Sequence, residues 1–143
     1  MKTQEQLRQV FDDNFVAYYR SHVAHVNITG RNFVSDHKLL KGIYEDLQEQ
    51  IDTIAELLRS MDEFMPNSMK DTLLGSHIND TPMMGDSEEM LTSVYDDIEH
   101  LKGCYEDLIR VGNEEGYDHI SNYAQDRVLA LSKFCWMLRS TLS

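Results

Sequence analysis

Apolar side chains recur every three or four residues in four stretches of the chain. Leu7, Phe11, Phe15 and Tyr18 form the first row, and His22 and His25 continue it. Leu47, Ile51, Ile54, Leu58, Met61 and Met65 form the second. Leu91, Val94, Ile98, Leu101, Tyr105 and Leu108 make the third, and Ile120, Ala124, Val128, Leu131, Cys135, Leu138 and Leu142 the fourth. Each row has the period of a helix that buries one face. The spacing predicts helices over about 3–28, 33–64, 86–112 and 117–142.

The breaks between these rows have a chemical basis. Thr29-Gly30-Arg31-Asn32 separates the first two helices, Gly30 suiting a left-handed turn and Asn32 a helix cap. Pro66 is expected to stop the second helix, because it cannot donate to the preceding turn. Residues 66–85 read as irregular, with one short helix from Ser68 to Leu74 ended by Gly75. Asp86 followed by Glu89 has the form of a capping box for the third long helix, and Gly112 to Gly116 divides the third from the fourth. Four long helices with one long connection in the middle make an all-α four-helix bundle. Its crossover lies between the second and third helices and carries the short helix. No internal repeat competes with this reading, and residues 1–143 are expected to form a single domain.

Composition narrows the function. Hydrophobic residues make up 41% of the chain, enough for a core. The formal net charge is −12, from 25 Asp and Glu against 13 Lys and Arg. A protein that grips nucleic acid needs the opposite sign, whereas an acidic one attracts cations. No apolar run reaches the ~18 residues of a membrane span, and MKTQEQLRQV lacks the apolar core of a signal peptide. Cys104 and Cys135 are the only cysteines and form no CxxC pair, so neither a disulfide framework nor a zinc cluster is expected. A cytoplasmic protein is the expectation.

Bundles bind metals between facing helices, so histidines and carboxylates matter. The usual di-iron signature, Glu-x-x-His on two helices, is absent; Asp97, three before His100, comes nearest and has no counterpart. The second helix instead carries a polar row of His37, Lys41, Glu45, Glu49, Asp52 and Glu56. Asp52 and Glu56 are one turn apart and can reach one cation together. His25 ends the first helix and His37 begins the second, so a short turn lets them share a metal. Fifteen residues of helix, about 22 Å, keep His37 from Asp52 in the same chain. Two copies packed antiparallel about a dyad near Glu45 would bring His37 of one chain to Asp52 and Glu56 of the other, building the site twice.

Plainer readings exist for each feature. A polar row is commonly a solvated face, and His22 and His25 on an apolar stripe read as hydrogen-bonded core histidines. His77, His100 and His119 have no partner spacing. Met83-Met84 lies in a loop, and Cys104 and Cys135 read as buried thiols.

The stretch His25-Val26-Asn27-Ile28-Thr29-Gly30-Arg31-Asn32-Phe33, then His37, then Asp52-Thr53-Ile54-Ala55-Glu56, resembles the Dps family. These are the mini-ferritins named as DNA-binding proteins from starved cells. The family pattern is His-x-Asn-x-x-Gly-x-x-Phe, a second His twelve residues after the first, and Asp-x-x-Ala-Glu fifteen further on; all three spacings match. Lys133-Phe134 and Trp136 resemble the family's last helix, and the likeness spans about residues 5–140. It implies a ferritin-like fold and a hollow dodecamer built on two-fold dimers. Fe(II) would be oxidised, commonly by hydrogen peroxide, at sites where one subunit supplies His25 and His37 and its neighbour Asp52 and Glu56. Ferric iron would be stored in the cavity, and removing Fe(II) and peroxide together would limit oxidative damage.

Two positions depart from the family. Lys41 stands where an acidic ligand is usual, and a protonated ammonium cannot bind the metal. It implies a weak or missing second iron position and an alternative function as a passive metal-binding shell. Val26 replaces a usual Trp. The family's lysine-rich tail is also missing: only Lys2 and Arg8 lie near Glu5 and Asp12-Asp13. Little direct DNA binding is therefore expected. Glu114, Glu115 and Asp118 are candidates to line a channel that admits iron.

Overall fold

The computed structural model describes residues 2–143, which form five α-helices and, among these residues, no strand. Helix α1 spans Lys2–Asn27, α2 Phe33–Ser60, α3 Met69–Gly75, α4 Ser87–Glu114 and α5 Asp118–Leu142. The four long helices make the expected bundle. α1 packs on α2 and on α4, and α4 packs on α5, while the short α3 lies in the crossover against α1. The apolar rows meet inside: Leu7, Leu47, Ile54, Leu58, Leu101, Leu108, Leu131 and Leu138 are all fully buried. At ~1.5–3 kcal/mol for each large aliphatic side chain buried, this core is the main source of stability.

Several helix ends follow the expectation. Gly30 has φ +126°, in the region that glycine alone enters freely. Asp86 accepts from the Glu89 amide at 2.9 Å while the Glu89 carboxylate accepts from the Asp86 amide at 3.4 Å, completing the capping box. Ser68 caps α3 by accepting from the Asp71 amide at 3.1 Å.

Two ends differ. The second helix stops at Ser60, not at residue 64 before Pro66. Asp62 adopts φ +64°, the Asp62 amide donates to the Arg59 carbonyl at 3.1 Å, and the Glu63 amide donates to Leu58 at 3.0 Å. This Schellman turn satisfies the terminal carbonyls, so the helix has ended before proline is reached. Asn32 does not cap α2 with its side chain. Its backbone, at φ −102° and ψ 26°, lacks the extended conformation a cap needs, and only its carbonyl serves, accepting from the Asp36 amide at 2.9 Å.

Ion pairs and hydrogen bonds pin the bundle's layers. Arg127 on α5 donates to both carboxylate oxygens of Asp46 on α2, one bond measuring 3.1 Å. Arg20 on α1 donates to Asp97 on α4 at 2.7 Å, and the Tyr123 hydroxyl donates to Gln50 at 2.6 Å. Cys104 and Cys135 are buried free thiols, as expected. Burial and the neighbouring Glu99 carboxylate push the Cys135 thiol up to about 12. No helix among the described residues is long and apolar enough to cross a membrane.

Candidate metal centre

The turn from α1 into α2 folds His25 back onto His37. Their rings stack with centroids 3.8 Å apart and planes 17° from parallel. His25 Nδ1 donates to the backbone carbonyl of His37 at 2.8 Å, and His37 Nδ1 donates to the carbonyl of His25 at the same distance. A carbonyl only accepts, so each ring carries its proton on Nδ1. Both Nε2 lone pairs are left for another partner, the tautomer a metal-binding imidazole requires. Neither Nε2 makes a hydrogen bond among the described residues.

Aromatic packing holds this pair in place. Phe33 stacks on His37 at 5.0 Å, and Tyr44 lies 5.0 Å from His25. His22 stacks on Tyr44 at 3.9 Å, and its Nδ1 is 3.1 Å from the Tyr18 hydroxyl. His22 thus supports Tyr44, and its own ring lies 6.1 Å from that of His25. Val26 is 61% exposed and gives the imidazoles no cover.

Asp52 and Glu56 lie further along α2, one turn apart and exposed. Neither makes a hydrogen bond or ion pair among the described residues. The helix is continuous from Phe33 to Ser60, so the ~22 Å expected from helix rise keeps these carboxylates from the imidazoles of their own chain. One chain therefore joins His25 to His37 and Asp52 to Glu56, but not the two pairs. Lys41 lies one turn beyond His37, exposed, with its ammonium 3.7 Å from Glu45.

Glu115 is occupied elsewhere. Its carboxylate accepts from the amide and the hydroxyl of Thr3 at the start of α1, which holds it below the usual carboxylate range. Glu114 pairs with Arg110 at 3.7 Å, and Asp118 is exposed.

A second group escaped the sequence. Asp13 on α1, His77 in the crossover and His100 on α4 bring one ligand atom each to within 4.8 Å of one another. No local spacing announces it, because the residues come from three separate segments. Asp97, three residues before His100, is directed to Arg20 instead.

The fold has close parallels among known proteins. The family model for the Ferritin-like domain matches residues 4–143, and the chain is a ferritin-like protein. Among curated relatives, the DNA protection during starvation protein of Helicobacter pylori is 26% identical over the full length of both chains. Antigen TpF1 of Treponema pallidum is 33% identical over 96% of this chain and 78% of its own. The crystal structure of Dps from Vibrio cholerae O1, described as a ferritin-like diiron-carboxylate protein, superposes with a TM-score of 0.94. It is 25% identical, over 99% of this chain and 89% of that one. Within the ferritin-like proteins, the chain belongs to the Dps family.

Proposed function

We propose that the protein oxidises Fe(II) at sites shared between two subunits and stores the ferric product inside a dodecameric shell. The reciprocal lock of His25 and His37 is the observation that carries this reading. It directs both Nδ1 atoms to backbone carbonyls and leaves both Nε2 atoms for a metal, held in a fixed frame as a ligand pair must be presented. Asp52 and Glu56 supply the complementary half. They are carboxylates without partners, and a second chain packed antiparallel about a dyad near Glu45 delivers them to the imidazoles. Imidazole and carboxylate together suit Fe(II), and carboxylate stabilises the ferric product.

In this account iron is the substrate. Two Fe(II) ions give up one electron each, one hydrogen peroxide takes both electrons and two protons, and two Fe(III) and two waters result. Ferrous iron and peroxide are thereby consumed together, so the cytoplasm in which we place the shell is spared the radicals they form. Exposed apolar side chains in the crossover, Phe64, Met69 and Leu74 at 67–75% exposure, support burial between subunits. At −12 per chain the shell repels DNA, so direct association at physiological salt is expected to be slight.

Lys41 favours a second reading. It lies one helical turn from His37, and its ammonium repels a second cation, which would leave a shell that binds metal without turning it over. Anaerobic addition of Fe(II) followed by peroxide separates the two. Rapid growth of ferric absorbance supports the oxidase, and its absence supports the passive shell.

A further inference from the structure

We propose that Asp13, His77 and His100 form a second metal site, specific for a divalent transition ion of the zinc type and separate from the α2 centre. Its parts lie on α1, the crossover and α4, and none belongs to the His25–His37 or Asp52–Glu56 pairs. The proposal therefore stands or falls independently of the iron reading.

Asp13 is fully buried, yet its pKa lies below the usual carboxylate value. Donors explain the anion. Oδ1 accepts from the His77 amide at 2.7 Å, the Ser76 hydroxyl at 2.9 Å and the Gln9 amide at 3.2 Å. Oδ2 faces the Cys104 thiol and His100 Nε2, each at 3.1 Å. One oxygen is thus used to fix the carboxylate, and the other is directed at an imidazole nitrogen.

That separation is what a shared ion needs. Two ligands each ~2.0–2.1 Å from a tetrahedral metal lie about 3.3 Å from one another. The Asp13–His100 contact can therefore exchange its bridging proton for a metal ion with little movement. His77 supplies the third ligand. It is anchored through its own backbone to the same carboxylate, and its ring meets that of His100 edge-on, 6.4 Å between centroids. Two imidazoles and one carboxylate leave a fourth position open, the donor set and coordination of a zinc site with an exchangeable ligand.

The site is reachable from solvent. His77 and His100 are exposed and line an open cleft of about 940 Å³ on one side and a depression of about 250 Å³ on the other. On the wall of the larger cleft Glu5, Glu99, Glu106 and Asp107 outnumber Lys2 and Arg110, which gives it the sign that draws cations.

The test is a titration of the assembled full chain with Zn²⁺, in an H25A/H37A/D52A/E56A background that removes the proposed iron ligands. His77 is exposed, so H77A leaves the core packing untouched, and H100A checks the second imidazole. We expect one Zn²⁺ per chain, with affinity falling roughly tenfold or more in either variant, a loss seen even when a ligand's supporting shell is disturbed. Zinc binding unchanged in both H77A and H100A overturns the proposal, as does no binding to the H25A/H37A/D52A/E56A chain.

Discussion

His25 and His37 each donate from Nδ1 to the other's backbone carbonyl at 2.8 Å, so each ring is fixed by its neighbour's main chain while the two rings stack face to face at 3.8 Å. The pair acts as one ligand unit. Removing one imidazole takes away a metal ligand and also the stacking surface of the other ring. H25A and H37A should therefore each lower the rate of peroxide-driven Fe(II) oxidation by about 10²-fold, and the double variant should lose little more than the worse single one. Stopped-flow ferric absorbance on the three variants checks this. Multiplicative losses would show that the histidines act separately.

Lys41 lies one turn from His37, its charge only partly offset by Glu45 at 3.7 Å, and the exposed pair contributes little to stability. K41D replaces a repelling ammonium with a carboxylate on the same helix face. The oxidation rate should rise roughly tenfold, a barrier change of about 1.4 kcal/mol, and anaerobic titration should reveal added Fe(II) per chain. A K41D protein with unchanged stoichiometry and rate would place the limit elsewhere.

Arg127 and Asp46 differ from that surface pair in burial. The Arg127 side chain is 7% exposed and Asp46 24%, and the two make a forked contact across α5 and α2. R127A leaves a carboxylate unpaired beside the core and should cost about 3 kcal/mol, against under ~0.5 kcal/mol for K41A. Denaturant unfolding at matched protein concentration measures both, since assembly contributes to apparent stability.

Asp12 is buried with its Oδ1 unpartnered, and burial together with the Asp13 charge raises its pKa to about 7. The folded chain thus binds this proton more tightly than the unfolded chain, whose carboxyl titrates near 3.8. The stabilisation is present at low pH and is lost as pH rises through about 7. D12N mimics the neutral form. It should raise the thermal midpoint at about pH 8 and leave it nearly unchanged at about pH 4. Scans with a chelator present keep metal at Asp13 out of the comparison.

The parts of this molecule that were legible in its sequence are those encoded by short spacing. Leu91 to Leu108 and Ile120 to Leu138 repeat with the helical period, so α4 and α5 could be drawn within two residues of their ends. The Asp86–Glu89 box is likewise local. The end of α2 was not legible, because Asp62 closes it with a left-handed backbone that no glycine marks in the sequence. His25 and His37 could be paired from the short turn between them, but their crossed hydrogen bonds are a product of backbone geometry. The meeting of Asp13, His77 and His100 depends on how the crossover drapes over α1 and α4, for which no pattern along the chain stands as a sign.

The most direct measurement co-assembles two defective chains, H25A/H37A and D52A/E56A, by dissociating and reassociating them together. Each alone should form a shell without oxidase activity. In a mixed two-fold pair, one of the two sites receives both imidazoles from one chain and both carboxylates from the other. Random mixing should therefore restore roughly a quarter of the native rate. Mixed shells as inactive as their parents would contradict a centre divided between subunits.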